Sequence, residues 1–148
     1  MVTTMEKTGS YFLELPSDAE NIRQIEPYVD EIMQSYSLSE SVYGNILISL
    51  TEAVTNAIIH GNQSDHHKKV MVCVKDICTE NITFLVSDEG PGFNPDGLPD
   101  PTADENLLKL GGRGVFLMRQ LSDGIRFADE GRTVEIFFKL WWVDELTI

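Results

Sequence analysis

Short apolar segments rich in β-branched and aromatic residues alternate along this chain with longer segments whose apolar residues recur at helical spacing. The short segments predict five strands, at residues 11–15, 70–75, 82–87, 124–128 and 133–140. Pro16 ends the first strand, and the turn residues 76–81 and 129–131 join the other four into two hairpins. The predicted sheet is therefore mostly antiparallel.

Helical spacing predicts one helix directly after the first strand and another between the two hairpins. The first follows a capping pattern made by Ser17 and Glu20. Pro27 lies inside it, and because proline lacks a backbone donor we expect a kink or a fresh helical start there. Another helix is predicted at residues 112–121. The order of strand, two helices, hairpin, loop, helix and hairpin favours an α+β two-layer sandwich, a mostly antiparallel mixed sheet with helices on one face.

The middle helix, predicted at residues 39–60, has two unlike faces. Ser37 and Glu40 repeat the capping pattern before it, and Gly61 provides a stop. One face is apolar and comprises Ile46, Leu47, Leu50, Ala53, Val54, Ala57 and Ile58. The other is a polar stripe that comprises Asn45, Ser49, Glu52, Asn56 and His60. The stripe is either a solvated helix face or part of a site.

Glu52 and Asn56 are one helical turn apart and therefore point the same way. The amide oxygen of Asn56 is a neutral hard ligand suited to Mg²⁺, and the carboxylate of Glu52 could take a proton from a hydroxyl. His60 lies one turn further on, where it is more often a cap stabilised by the helix dipole than a catalytic group.

A turn with two glycines, Asp88-Glu89-Gly90-Pro91-Gly92-Phe93, follows the third predicted strand. The glycines allow the backbone to approach a flat ligand closely, and the carboxylate of Asp88 could accept a hydrogen bond from an exocyclic amine such as adenine N6. The alternative is a tight turn closed by an Asx-type hydrogen bond. The hexapeptide alone does not separate the two.

A glycine cluster leads directly into the last predicted helix. Its residues are Gly111, Gly112, Arg113, Gly114 and Val115. The free N–H groups of a helix start bind phosphates, and Arg113 would add a charged contact; the alternative is a hinge before a buried helix. The chain contains neither a P-loop nor a G-x-G-x-x-G motif after a strand. Residues 94–110 lack periodicity and predict a functional loop, interpreted as a lid.

The 148 residues carry a formal net charge of -13, which disfavours nucleic acid and anionic membranes as partners and favours a basic protein surface. Length and uniform composition predict one domain over residues 1–148. Cys73 and Cys78 have no zinc-finger spacing and are interpreted as buried or half-buried free thiols. No signal peptide or transmembrane run is recognised, so we expect a cytoplasmic protein.

Together the three motifs resemble the N, G1 and G2 boxes of the superfamily of gyrase, Hsp90, histidine kinase and MutL ATPases. The boxes are Glu52-x-x-x-Asn56, Asp88-x-Gly90-x-Gly92-Phe93 and Gly112-x-Gly114. Within that superfamily the small size and the sequences 52–62 and 111–119 are similar to the anti-sigma serine kinases typified by RsbW and SpoIIAB.

The resemblance implies a Bergerat-type fold that holds ATP and Mg²⁺ under a lid. It implies that Asn56 binds the metal, that Glu52 is the catalytic base and that Asp88 holds the adenine amine. Arg113 would contact the terminal phosphates. The implied ATP-binding set is Asn56, Asp88, Gly90, Gly92, Phe93, Gly111, Gly112, Arg113, Gly114 and Val115.

The same resemblance implies an ATP-dependent protein-serine kinase that sequesters a sigma factor and phosphorylates a serine of an anti-anti-sigma protein of the STAS type. A homodimer is also expected from it. One alternative is a regulatory module that binds ATP and phosphorylates nothing. A second is the detached ATPase domain of a sensor kinase, which would need a phospho-accepting histidine domain in trans; nothing in this chain resembles one.

Overall fold

The computed structural model describes residues 10–92 and 112–140, and its five strands form one open sheet. The strands are β1 (Ser10–Pro16), β2 (Lys69–Ile77), β3 (Asn81–Ser87), β4 (Gly124–Ala128) and β5 (Thr133–Lys139), in the order β1-β2-β3-β5-β4. All four pairings between these strands are antiparallel. The predicted loop at 94–110 and the predicted site residues Phe93 and Gly111 lie outside the described residues.

The register of β3 and β5 determines where the functional turns meet. The two strands pair without a shift from Asn81 opposite Lys139 to Ser87 opposite Thr133. The residues just beyond this pairing therefore lie side by side, and the Asp88 N–H donates to the Arg132 carbonyl at 2.9 Å. The turn after β3 and the turn before β5 thus form one corner of the sheet.

Among the described residues, three helices and three shorter helical segments accompany the sheet: a 3₁₀ turn (Ala19–Gln24), α1 (Ile25–Tyr36), α2 (Glu40–Thr55) with a π-helical extension (Asn56–Gly61), α3 (Gly112–Leu121) and a 3₁₀ turn (Asp129–Gly131) between β4 and β5. Pro27 lies in the first turn of α1. Since the first N–H groups of a helix have no intrahelical acceptor, proline costs little there. Of the two expected outcomes, a kink or a fresh start, the structure has the fresh start, at Ile25 just before Pro27.

Both predicted capping patterns were assigned one or two residues too early. Asp18, not Ser17, caps the 3₁₀ turn by accepting the Glu20 N–H at 2.9 Å. Ser39, not Ser37, caps α2. Ser17 is fully buried and donates to the Lys68 carbonyl at 2.7 Å, because a buried hydroxyl must find a partner within the chain.

The core lies between the helices and one face of the sheet, as the two-layer prediction requires. Alternate residues of β3 (Ile82, Phe84, Val86) and of β5 (Val134, Ile136, Phe138) are buried in it. The apolar face of the middle helix is buried with them, apart from the half-buried Leu47. Segment Glu40–Gly61 is long and apolar enough by composition to span a membrane; its inner face is buried in this core, whereas Ile48 and Ile59 are exposed.

Candidate functional site

A cavity of about 220 Å³ opens between α2, the start of α3 and the corner formed by β3 and β5. It brings together Asn56, Asp88, Gly92 and Val115, which come from all three predicted motifs. Its remaining walls are mainly apolar. They are supplied by Ala53, Ala57, His60, Gly61, Val86, Pro91, Met118, Phe127, Gly131, Arg132 and Val134.

Close backbone packing shapes the end of the cavity around Asp88. A methyl group on Gly61 would overlap the carboxylate of Asp88, and one on Gly90 would overlap the Gly61 carbonyl. Gly92 has φ +84°, which disfavours any residue with a side chain, and it faces the Glu130 carbonyl. Glycines at these positions let the end of α2, the β3 turn and the β5 turn pack together without side chains between them.

Asp88 accepts the Gly90 N–H with Oδ1 at 2.8 Å, which is the Asx-type turn predicted as the alternative to a ligand site. Its carboxylate also lines the cavity, so the two interpretations are compatible. Within the described chain no hydrogen bond reaches Oδ2. Burial raises the pKa of Asp88, against the opposing effects of the Gly90 N–H and of Arg132.

Two residues without a predicted role hold this turn at different backbone groups. Buried Asn62 accepts the Glu89 N–H at 2.7 Å and donates to Ser17 Oγ at 2.8 Å. Arg132 donates from Nε to the Gly90 carbonyl at 2.7 Å. Asn62 appeared in the sequence motif without a function. No local pattern could reveal Arg132, since its contact depends on the pairing of β3 with β5.

At the other end of the cavity Glu52 and Asn56 lie against the start of α3. A methyl group on Gly114 would be 2.9 Å from Asn56 Nδ2 and 3.0 Å from Glu52 Oε1. Helix α3 begins at Gly112, as predicted. The side chain of Arg113 lies outside the described part of the molecule, so its phosphate contact stays a prediction. Asn56 lines the cavity, whereas Glu52, Gly114 and the predicted Gly90 do not.

The polar stripe of α2 is only partly a site. Ser49 is fully buried, contrary to its placement on a polar face. His60 lines the cavity, but burial lowers its pKa and its buried Nδ1 has no hydrogen-bond partner among the described residues. The helix ends at Gly61, so His60 does lie in its last turn, and its interpretation as a dipole-stabilised cap stays a prediction.

The two cysteines are both free, as predicted, but only one is buried. Cys73 is buried within the sheet, and burial raises the pKa of its thiol. Cys78 is exposed, contrary to the prediction. It lines a second cavity of about 410 Å³ between the α1–α2 and β2–β3 turns, which contains none of the predicted site residues.

Residues 15–138 match the family model described as histidine kinase-like ATPase domain. The chain is 28% identical over 121 residues to the anti-sigma F factor of Clostridium perfringens, covering 80% of this chain and 78% of that protein. It is 26% identical over 140 residues to the serine-protein kinase RsbW of Staphylococcus epidermidis, covering 89% and 88%.

Two solved structures share the fold. The RsbU and RsbW domains of a Mycobacterium tuberculosis protein superpose with a TM-score of 0.58 at 15% identity, over 87% of this chain and 30% of that one. The histidine kinase domain of a blue-light activated histidine kinase from Erythrobacter litoralis gives 0.54 at 16% identity, over 83% and 63%. This chain therefore spans less than two thirds of either solved chain.

Proposed function

Because this chain belongs to the histidine kinase-like ATPase domain family, we propose that it is an ATP-binding anti-sigma factor and protein-serine kinase. It sequesters a sigma factor and phosphorylates a serine of a STAS-type anti-anti-sigma protein. The proposal rests on one observation: Asn56, Asp88, Gly92 and Val115 line the same cavity. The names of the relatives, anti-sigma F factor and serine-protein kinase, support it.

The Asp88 end of the cavity binds the adenine. Apolar walls and glycine backbone suit a flat base, and the carboxylate of Asp88 accepts a hydrogen bond from its exocyclic amine. A base with a carbonyl in place of that amine would leave the half-buried carboxylate unpaired, which is unfavourable. The site therefore selects adenine over guanine.

The Glu52 end holds the phosphates and the metal. The first N–H groups of α3 lack intrahelical acceptors and favour an anion. The described residues contain no group of three or more His, Cys, Asp or Glu side chains placed to hold a metal ion. Asn56 would hold Mg²⁺ together with phosphate oxygens, an arrangement typical of this ion. When bound, the metal neutralises charge that develops on the transferred phosphoryl group.

Glu52 acts as the general base. Its carboxylate takes the proton of the acceptor serine as the serine oxygen forms a bond to the γ-phosphorus, and the bond to the departing ADP oxygen breaks with its electron pair. The packing of Gly114 against both Glu52 and Asn56 supports this role, because it brings the carboxylate beside the start of α3.

The proposed partners follow from the relatives and from charge. The names of those relatives support a sigma factor and its antagonist as binding partners. The net charge of -13 supports a basic partner surface. We extend the proposal to a cytoplasmic protein that forms a homodimer; light scattering on the purified protein would test the dimer.

Label transfer from γ-labelled ATP tests the kinase. The wild type, Glu52→Gln and the matched exposed variant Glu80→Gln are each incubated with Mg²⁺ and a candidate STAS-domain protein of the same organism. We expect the wild type and Glu80→Gln to label the acceptor and Glu52→Gln to lose about 100-fold or more of the rate.

The outcomes separate the alternatives. ATP binding by calorimetry without any labelling would make the chain a regulatory module that uses ATP as a ligand. Labelling of a histidine instead of a serine, seen as acid-labile phosphate, would favour a detached sensor-kinase ATPase domain. Equal rates for Glu52→Gln and the wild type would remove Glu52 from the catalytic role.

A further inference from the structure

We infer that Arg132 is a positioning residue of the nucleotide site, holding the Asp88–Gly92 turn in its binding conformation before ATP arrives; this inference rests on the proposed function. Its guanidinium donates from Nε to the Gly90 carbonyl at 2.7 Å and from Nη2 to the Pro91 carbonyl at 3.3 Å. The same residue accepts the Asp88 N–H with its own carbonyl at 2.9 Å.

A guanidinium is suited to this task because its donors form a rigid planar fork. Two donors bind successive carbonyls of the glycine turn, while Nη1 donates to the Asp129 carbonyl at 3.1 Å. A lysine ammonium is a point charge on a flexible stem and cannot reproduce that geometry. Arg132 therefore joins the turn after β3 to the turn before β5 through backbone atoms, and ion pairs of Nη1 with the carboxylates of Asp129 and Glu130, each at 3.4 Å, hold the guanidinium in place.

Asn62 binds the same turn at a different backbone group. Its Oδ1 accepts the Glu89 N–H at 2.7 Å, and its Nδ2 donates to the Lys69 carbonyl at 3.1 Å. Asn62 thus holds an N–H of the turn, whereas Arg132 holds its carbonyls. Between the two, the backbone of the turn has little freedom to lose when a ligand binds, and this lowers the entropic cost of binding.

Charge adds a second effect. Arg132 lines the cavity and is its one permanently cationic lining residue within the described part of the chain. Burial raises the pKa of Asp88, and nearby Asp129 raises it further. The positive charges of Arg132 and Lys68 lower it. The cation therefore helps to keep Asp88 an acceptor as well as fixing its turn.

Variants at Arg132 separate fork geometry from charge. Arg132→Gln removes both, and Arg132→Lys keeps the charge only. Arg126→Gln is the matched control, because the largely exposed Arg126 pairs with Glu135, neither of them lines the cavity, and its loss changes the net charge equally. ATP affinity is measured by calorimetry, KM and kcat by label transfer, and amide hydrogen exchange is measured in the nucleotide-free protein.

We expect both Arg132 variants to weaken ATP binding and raise its KM about tenfold, with kcat nearly unchanged. We expect the Gly90 amide, which is bonded to Asp88, to exchange about tenfold faster in the nucleotide-free variants while β3 and β5 keep their protection. Arg126→Gln should match the wild type in every measurement.

Three results would overturn the inference. They are wild-type ATP affinity in Arg132→Gln, full recovery of affinity in Arg132→Lys, and faster exchange throughout β3 and β5, which would make Arg132 a determinant of fold stability. Failure of the wild type to bind ATP would instead contradict the proposed function. The exchange data on the nucleotide-free protein would still decide whether Arg132 holds the turn.

Discussion

The side chain of Asp88 both closes its own turn and lines the cavity. Its Oδ1 accepts the Gly90 N–H at 2.8 Å, and the residue forms part of the cavity wall. Burial raises the pKa of Asp88, which means that the folded chain holds the ionised form at a cost in stability. A cost of this kind at a cavity is typical of residues kept for binding.

Asp88→Asn should therefore separate binding from stability. The amide loses the charged acceptor for adenine, and we expect ATP affinity measured by calorimetry to fall about 10- to 100-fold. Because the pKa of Asp88 is raised in the folded chain, protonated Asp88 stabilises the fold at pH values below its ordinary pKa. This stabilisation is lost as the pH rises through the pKa of the folded state. The variant should match or exceed the wild type in urea unfolding at pH 7.

The stability difference should vanish near pH 3, where Asp88 is protonated in both the folded and the unfolded wild type. The exposed variant Asp76→Asn is the control for the change in charge. Unchanged ATP affinity in Asp88→Asn would contradict the assignment of this residue.

At the scale of elements, the end of α2 and the start of α3 form the other half of the site. Past Asn56 the helix continues as one π-helical turn to Gly61, and π-turns are frequent at functional sites. Gly114 of α3 lies so close to Glu52 and Asn56 that a single methyl group would contact both. Glycine is therefore the residue that fits at position 114 without displacing either of these side chains.

Gly114→Ala and Gly44→Ala form a matched pair of helix substitutions. A methyl group at Gly44 would meet nothing within 4 Å, so its higher helix propensity should raise the free energy of unfolding by about 0.5–1 kcal/mol without changing ATP affinity. At Gly114 the methyl group displaces Glu52 or Asn56, and we expect about a tenfold loss of ATP affinity. Normal ATP binding by Gly114→Ala would show that the close approach is dispensable.

Local patterns predict most of these elements because strands and helices bury residues with distinct periods. They place helix starts less well, since neighbouring serines and aspartates compete for one cap, as Asp18 and Ser39 show. Glycine and carboxylate motifs indicated the cavity. Asn62 and Arg132 were missed as positioning residues because their contacts join turns that are distant in sequence.

For the molecule as a whole, the acidic balance of -13 predicts how partners bind. A basic partner should associate faster and more tightly at low ionic strength, since salt screens exposed charges beyond about 10 Å at 0.1 M. We expect affinity for a sigma factor to fall steadily between 0.05 and 0.5 M salt, on the order of tenfold or more. An affinity independent of salt, measured by surface plasmon resonance, would refute charge complementarity.

The most direct test of the nucleotide site is a titration of the isotope-labelled protein with Mg²⁺ and ATP followed by NMR. We expect the backbone amides of Gly90 and Gly114 and the side-chain amide of Asn56 to shift together at one saturating concentration. Residues of the second cavity, such as Leu38 and Cys78, should not shift. Shifts confined to the second cavity, or none at all, would show that ATP does not bind at the proposed site.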